Sequence, residues 1–436
     1  MAKTFREWAP EQNLLLPPSV LDWIPTGHLV HFVLNLVREE LDLNAILDTY
    51  SEERGYPPYD ARMMVGLLLY SYSQGVYASR KIAKACSDRV DFMVLTGRQE
   101  PDFRTIALFR MRHLETLKGL FEQVLRLCRK AGLVKLGHVA LDGTRIKASA
   151  SKSESLTYQR MNKVEQELEG EIAEWFDKAA RVDEEEDQLY GSAKRGDELP
   201  DWVQDKQKRL EKIRQAKAEL EAEAKAAAEA PPDPIKTGHK KKPTGKPQAT
   251  TQRNLTDPES RIMKGSECFI QGYNAQAAVD ADHQVIVAQQ VTTDGSDVHQ
   301  LVPLLNQIRK NVGRQAKEVS ADAGYSSEHN LKQLSRRGIR GYVASRWKKN
   351  NRTAPKGQRP PAKVQGYMRA MWQRLQRGGT TSRYRLRQQV VEPVFGHIKH
   401  ARGFRQFLMR GLKKVSGEWS LLCTAHNLLK LAVVAH

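Results

Sequence analysis

The last hundred residues of the chain carry almost no negative charge, and this limits most strongly what the chain can fold into. Residues 331–436 contain 24 Lys and Arg but only two carboxylates, Glu392 and Glu418, which gives a formal charge of +22. The whole chain carries +19, so residues 1–330 sum to −3. A segment this basic repels itself unless a polyanion neutralises it. Because the segment also contains aromatic residues typical of folded structure, we expect a folded partner of nucleic acid rather than a solvated tail.

Cysteine usage and apolar content narrow the class of protein. The four cysteines lie scattered without paired spacing, which argues against a disulfide framework or a zinc site and fits a reducing compartment. The apolar runs are too short to span a membrane, and the N-terminus lacks the pattern of a secretion signal. We therefore expect a cytoplasmic, nucleoid-associated protein of two or three domains, with no membrane partner.

Residues 1–133 have the pattern of an all-α domain for DNA binding or assembly. Apolar periodicity predicts one helix over Ala61–Ser73 and a longer one over Thr105–Leu127, with a stop at Gly132. The region Ser79–Arg110 fits either a helix-turn-helix or an ordinary helical bundle with a charged exterior. A helix-turn-helix would turn five basic side chains towards DNA: Arg80, Lys81, Arg104, Arg110 and Arg112.

The pattern then changes to short β-rich runs separated by helices. The runs lie at 136–141, 144–147, 273–279, 283–291, 318–321 and 339–345. Asp297 is expected to cap a helix over Leu301–Arg309, and Ser326 or Ser327 a second helix that ends at Arg337. This order predicts an α/β catalytic domain with a mixed five-stranded sheet, formed by residues 134–155 and 251–436.

The predicted sheet is interrupted by an insertion. Residues 156–230 carry apolar positions at heptad-like spacing in sequence rich in Glu, Lys and Ala, which predicts a long helical hairpin. Residues 231–250 form a basic, Pro-rich linker that is expected to be disordered. Whether the hairpin dimerises, grips DNA or decorates the surface stays open.

Three carboxylates are the candidates for chemistry. Asp142 and Asp322 each end a predicted strand and are followed within two residues by glycine. Groups at the carboxyl ends of adjacent strands converge in one crevice, although Asp-Gly after a strand is also a common turn. Glu392 is the third candidate, because metal coordination explains an acid in such basic surroundings better than a salt bridge does.

The residues around Glu392 match a known pattern. Tyr384, Arg387, Glu392 and Lys399 resemble the Tyr, Arg, Glu, Lys block of the DDE transposases of bacterial insertion sequences. Blocks similar to that family also occur, in its order, at 55–75, 141–148, 271–276 and 321–325. One departure is that Glu392 follows Arg387 by five residues instead of the usual four.

The resemblance implies a ribonuclease H-like fold in which Asp142, Asp322 and Glu392 are catalytic and hold two Mg²⁺ ions, with Mn²⁺ as a substitute. Phosphodiester cleavage needs charge neutralised on the entering and leaving oxygens, which two ions about 4 Å apart achieve together. Carboxylate oxygens are suitable ligands for Mg²⁺. The implied nucleic-acid-binding residues are Tyr384, Arg387, Lys399 and Arg402.

The implied function is that of a transposase that cleaves the ends of a mobile element and joins them to target DNA. The partners would be double-stranded DNA, as element ends and as target, and further copies of the chain in a homodimer or higher assembly. Two alternatives remain open at this point. One is a non-catalytic DNA-binding protein from a decayed element, and the other is a metal-dependent nuclease of the same fold.

Overall fold

A computed structural model describes residues 19–50, 58–190, 200–231, 233, 235, 244–265, 268–344, 365–378 and 382–435. The chain divides into two compact units, Met1–Leu120 with Ala432–His436, and Phe121–Leu431. The predicted Pro-rich linker lies largely outside the described residues. Across the described ranges, no helix is both long and apolar enough to cross a membrane.

The first unit is helical, as expected. Asp60 caps the predicted apolar helix by accepting hydrogen bonds from the backbone N–H groups of Arg62 (2.6 Å) and Met63 (3.3 Å). The prediction of this helix is confirmed. The helices of this part of the chain are α1 (Leu29–Asn35), α2 (Asn44–Leu47), α3 (Ala61–Ser73), α4 (Ser79–Asp88), α5 (Val90–Thr96), α6 (Phe103–Arg112) and α7 (Leu114–Lys130).

Two predictions in this region are wrong. The helix expected over Thr105–Leu127 is broken at His113, which is buried and lies 3.2 Å from the Tyr50 hydroxyl through Nε2. This contact between distant residues overrides a local periodicity that continues across the break. Arg110 does not face outwards: it is buried and donates to the Tyr72 hydroxyl and the Tyr77 carbonyl oxygen, both at 3.0 Å.

The second unit combines a sheet with helices and an inserted hairpin. Its elements are β1 (His138–Lys147), β2 (Ser155–Thr157), α8 (Tyr158–Tyr190), α9 (Asp201–Glu229), β3 (Gln252–Asn254), β4 (Arg261–Lys264), β5 (Phe269–Asp280), β6 (Ile286–Thr292), α10 (Leu301–Val312), β7 (Glu318–Ala321), α11 (Glu328–Arg336), β8 (Arg340–Val343), α12 (Gly366–Gly378), α13 (Leu386–Gly396) and α14 (Leu412–Ala435).

The main sheet is mixed, as predicted. Strands β6, β5 and β1 pair antiparallel, whereas β1, β7 and β8 pair parallel, which gives the order β6-β5-β1-β7-β8. In the described residues β4 adds a sixth strand to the five expected, because the long β5 pairs with β4 over residues 269–272 and with β6 beyond them. The result is the α/β architecture expected of a ribonuclease H-like domain.

Strand β1 is longer than predicted. The runs at 136–141 and 144–147 form one continuous strand, so Asp142 lies within β1 and not at its end. Antiparallel pairing to β5 continues from Val139↔Asp280 to Lys147↔Gly272 and crosses Asp142-Gly143 without a break. The neighbouring strand therefore prevents this Asp-Gly pair from forming a turn.

Helices cover the sheet and fix its central strands. Helix α10 packs on β6, and α13 contacts β1, β5 and β7. In α14, the buried Trp419 donates its indole N–H to the Gln276 carbonyl oxygen (3.1 Å). Asn427 bonds both the N–H and the carbonyl oxygen of Ile286 at 2.8 Å. These side-chain bonds anchor α14 to β5 and β6.

The predicted hairpin is present as α8 and α9. Strands β2 and β3 pair antiparallel beneath it and hold its two ends together. Ion pairs link the helices, including Arg214 with Glu169 (2.6 Å) and Lys206 with Glu171 (2.8 Å). The apolar residues that it buries include Met161, Leu168, Leu210, Ile213 and Leu220.

Candidate active site

Asp142 and Asp322 lie side by side on adjacent parallel strands. The register between β1 and β7 runs to Leu141↔Ala321. The residue that follows each of these two positions is one of the aspartates. Asp322 caps the short turn Ala323–Tyr325 and accepts a hydrogen bond from the Gly324 N–H (2.8 Å). The expectation that each aspartate ends a strand holds for Asp322, which follows β7, but is wrong for Asp142, which lies within β1.

Burial makes both carboxylates harder to ionise. Burial raises the pKa of Asp142 to about 7, although the nearby Arg387 guanidinium opposes the shift. The pKa of Asp322 is also raised, first by burial and then by the negative charge of Asp297. Repulsion by neighbouring carboxylates adds to both shifts, and a cation close to these side chains would oppose it.

Glu392 reaches this pair only through Arg387. Both residues lie on α13, where the buried Arg387 forms ion pairs with Asp142 and, at 3.1 Å, with Glu392. Glu392 is 51% exposed, so it stands at the rim of the site. Within the described part of the chain, no three His, Cys, Asp or Glu side chains form a cluster that could hold a metal ion. The Arg387 guanidinium lies between Asp142 and Glu392, where a cation shared by the two carboxylates would be expected.

Pro393 lies inside α13. The preceding residue, Glu392, therefore belongs to the interior of this helix and not to its start. A proline there lacks the N–H that would bond four residues back. The chain continues from Gly396 as a wider π-helical turn over His397–Ala401, which carries Lys399.

A fourth carboxylate, Asp297, was missed as a site residue. It was expected to cap α10, but Gln300 occupies that position. The Asp297 side chain instead accepts hydrogen bonds from Asn274 (2.7 Å), Gln276 (2.7 Å) and Arg145 (3.3 Å). The sequence did contain a signal for this site. Asn274 and Gln276 are amide side chains in a predicted strand, and buried amides require hydrogen-bond partners.

Glycines allow the acidic residues to approach each other. A side chain on Gly143 would begin 2.3 Å from Gln276 Nε2 and 2.9 Å from Asp297 Oδ1. One on Gly324 would begin 2.9 Å from Asp322 Oδ1 and 3.0 Å from Asp297 Oδ2. The two glycines therefore keep open the space that Asp297 and Asp322 share.

The basic candidates occupy different environments. Lys399 lies against β1 and donates to Thr144 Oγ1 (3.1 Å), two residues from Asp142, and burial lowers its pKa. Tyr384 is buried beside Arg387, whose charge opposes the increase in the tyrosine pKa that burial causes. Arg402 is only 7% exposed, and its charge contributes to the lowered pKa of His426. Lys399 therefore contacts the strand that carries Asp142, two residues from this aspartate.

Comparison with known proteins identifies the class. Residues 234–428 match the family model described as "Transposase DDE domain", and residues 18–112 match the one described as "Transposase domain (DUF772)". No curated protein and no solved structure matches the chain. The first matched range contains Asp322 and Glu392 but begins after Asp142, which the hairpin separates from it.

The mixed sheet with aspartates on adjacent parallel strands and the two matched domains define a transposase of the α/β, ribonuclease H-like class. The chain belongs to the DDE-type transposases, with a helical N-terminal region. Membership makes DNA its substrate and transposition its process. Transposases of this family generally use divalent metal ions.

Proposed function

We propose that this protein cuts the ends of a bacterial insertion sequence and joins them to target DNA, using Asp142, Asp322 and Glu392. The observation that carries the proposal is the placement of Asp142 and Asp322 on adjacent strands, with Glu392 tied to Asp142 through one guanidinium. The protein would act in the cytoplasm, on the nucleoid. Because two element ends have to be paired, it would work as a dimer or a higher assembly on DNA.

The donor atoms fit divalent cations. Three carboxylates offer hard oxygen ligands of the kind that Mg²⁺ prefers, with Mn²⁺ as a substitute. Two such ions would neutralise the phosphodiester oxygens and lower the pKa of an attacking water. Arg387 forms ion pairs with both Asp142 and Glu392. Its two ion pairs have to open before both carboxylates turn towards a cation.

The remaining side chains would bind and orient the DNA. Lys399 lies against β1 and donates to Thr144, two residues from Asp142, where its ammonium group can neutralise a non-bridging oxygen of the scissile phosphate. Once its ion pairs open, Arg387 becomes available to a neighbouring phosphate. Tyr384 and Arg402, each 7% exposed, complete the proposed DNA-binding set.

Both chemical steps would be in-line displacements at phosphorus. In the first, water attacks at the element end, the bond to the 3′-oxygen breaks, and the products are a 3′-hydroxyl and a 5′-phosphate. In the second, the exposed 3′-hydroxyl loses its proton as it attacks a target phosphodiester and displaces the target's own 3′-oxygen. No bond between protein and DNA forms in either step.

We also propose that different segments of the chain have different roles. Residues 134–155 and 251–436 would form the catalytic domain, and residues 1–133 the DNA-binding or assembly domain. The hairpin over 156–230 would be an accessory insertion. The pairing of β2 with β3 supports this, because it closes the main fold beneath the hairpin.

The decisive experiment compares Asp142→Asn with the wild-type protein in nicking of a plasmid that carries the reading frame and its flanking DNA. With Mg²⁺ present, we expect at least a thousandfold loss of nicking, because one carboxylate of the set is lost while the shape is kept. The matched control is Asp282→Asn, which removes an exposed carboxylate from the turn between β5 and β6. Wild-type nicking by Asp142→Asn would refute the assignment.

The same assay separates the alternative functions. DNA binding by the wild-type protein without any nicked product would indicate a non-catalytic DNA-binding protein. Cut product that is never joined to a target plasmid would indicate a metal-dependent nuclease. Joined product supports the transposase.

A further inference from the structure

A strongly basic cavity lies between β8, α12 and the turn that leads into α13. Its volume is about 500 Å³, and its lining includes residues of all three elements. Four of these residues are arginines with exposed side chains: Arg340, Arg374, Arg377 and Arg383. No part of the proposed catalytic mechanism uses them.

Two of the arginines are held by polar contacts, but the cluster as a whole is poorly neutralised. Arg383 pairs with Glu318 (2.9 Å), a carboxylate that also lies 3.3 Å from His138 Nδ1. Arg374 donates to the Gly341 carbonyl oxygen (3.0 Å). Among the described residues, Glu318 is the one carboxylate that forms an ion pair with any of the four guanidinium groups. Like charges gathered in this way favour an external anion.

The cavity adjoins the candidate active site through one stretch of chain. Arg383 lines the cavity, and Arg387, four residues later, contacts Asp142. Arg383 pairs with Glu318, which begins β7, and Asp322 directly follows the end of this strand, so the cavity and the aspartates are about 13 Å apart along β7. Phosphates of one DNA strand follow each other at about 3.4 Å along the duplex axis. DNA with its scissile phosphate at Asp142 would therefore bring other phosphates close to the cavity.

We infer that this cavity binds backbone phosphates of the DNA, at positions outside the phosphodiester that reacts. The inference rests on the proposed function, which supplies the DNA. Guanidinium groups match phosphate oxygens in geometry and form charge-assisted pairs of hydrogen bonds with them. Contacts of this kind position the duplex and are independent of its sequence.

The lining favours a polymer phosphate over a free nucleotide. Tyr342 is the one aromatic residue among the described lining, and it is 6% exposed. The Arg340 guanidinium already lies over its ring, 6.0 Å from the centroid. A nucleotide base would therefore find no open aromatic face on which to stack.

The test measures duplex binding by the full chain as a function of salt concentration, by fluorescence anisotropy and with a chelator present so that no cleavage occurs. Each lost phosphate contact lowers the slope of log Kd against log salt concentration by about 0.9. For Arg340→Gln/Arg377→Gln we expect a slope lower by about one to two. The matched control is Arg309→Gln/Arg336→Gln, which removes the same charge from exposed sites on α10 and α11 and should keep the wild-type slope.

A second double variant distinguishes the loss of charge from misfolding of the protein. Arg340→Lys/Arg377→Lys keeps both charges and is expected to keep most of the slope, since the slope counts neutralised phosphates. A wild-type slope in the Gln variant would overturn the inference. Normal duplex binding together with weaker binding of inorganic phosphate, measured by calorimetry, would also overturn it by assigning the cavity to a small anion.

The outcome does not depend on the proposed chemistry. A wild-type protein that binds DNA through the cavity but never nicks it would refute the catalytic proposal and leave this inference standing. Nicking by the wild-type protein together with an unchanged slope in the Gln variant would support the catalytic proposal and refute this inference.

Discussion

Arg387 shows how one side chain sets the state of the candidate site. Its guanidinium pairs with both Asp142 and Glu392, so the candidate site contains an internal counterion. Removing one partner of such a buried pair is far more costly than the net stability that the pair provides. A cation that binds these carboxylates therefore has to compete with the ion pairs of Arg387.

His426 gives the molecule a predictable response to acid. The side chain is buried in α14 and bonds the Gln284 carbonyl oxygen through Nε2 (2.9 Å). Burial lowers the pKa of His426 to about 3, and the charge of Arg402 adds to the effect. The unfolded chain, with a histidine pKa near 6.5, takes up the proton first. The stability that His426 contributes is therefore complete above pH 6.5 and is lost as the pH falls towards 3.

We predict that His426→Gln makes the protein less sensitive to acid. Between pH 7 and pH 5 the wild-type protein should lose about 2 kcal/mol more of its free energy of unfolding than the variant does. Urea titrations at a series of pH values measure the difference. His283→Gln, at an exposed position in the turn between β5 and β6, is the matched control. Parallel pH profiles for the wild-type protein and His426→Gln would contradict the prediction.

At the scale of elements, the contact between β1 and β5 depends on a residue without a side chain. A Cβ on Gly272 would begin 2.3 Å from the Ile146 carbonyl oxygen and 3.2 Å from its carbon, and both are backbone atoms. A backbone pair within a sheet cannot move aside as the end of a flexible side chain can. Close strand pairing at this point therefore requires glycine.

We predict that Gly272→Ala lowers the free energy of unfolding by about 1–3 kcal/mol, the usual range for overpacking. The matched control is Gly170→Ala in α8, where an added Cβ meets nothing within 4 Å. That change should stabilise the helix by about 0.5–1 kcal/mol, because alanine loses less backbone entropy than glycine does. Denaturant unfolding measures both variants, and a Gly272→Ala protein as stable as wild type would rule out the proposed strain.

At the scale of the whole molecule, the hairpin is attached in a way that should make it removable. Thr157 pairs with Gln252, so the two ends of the insertion are already neighbours. The hairpin also covers Leu156 and Leu255 and pairs Glu223 with Arg253 at 2.9 Å. Its removal exposes these two leucines without cutting a strand of the main sheet.

We predict that replacing residues 158–251 with a short Gly-Ser linker leaves a protein that still unfolds cooperatively, at a lower temperature. Exposure of each leucine costs about 2 kcal/mol. The near-ultraviolet circular dichroism of the remaining aromatic residues, among them the buried Trp419, reports on the remaining core. Loss of that signal under native conditions would show that the hairpin is part of the main fold.

The sequence predicted local elements well where the signal lay within a few residues. Helix α3 and the strand Glu318–Ala321 are as expected. Helix α11 begins after Ser327, whose side chain accepts from the Asn330 N–H (3.1 Å), and glycine follows it in a left-handed conformation at Gly338. Most of helix α7 falls within the helix predicted over Thr105–Leu127, whereas the break at His113, which contacts Tyr50 63 residues away, was not predicted.

Caps, periodicity and charge act over a few residues, so they were enough to predict α3, α11 and β7 and the carboxylate that follows β7. Long-range packing brought Arg387 to Asp142, 245 residues away, and placed Asp297 at the site instead of at a helix cap. It also gathered four arginines from three elements around one cavity. Such partners are chosen by strand register and helix packing, which depend on the burial of the whole core and leave no local trace in the chain.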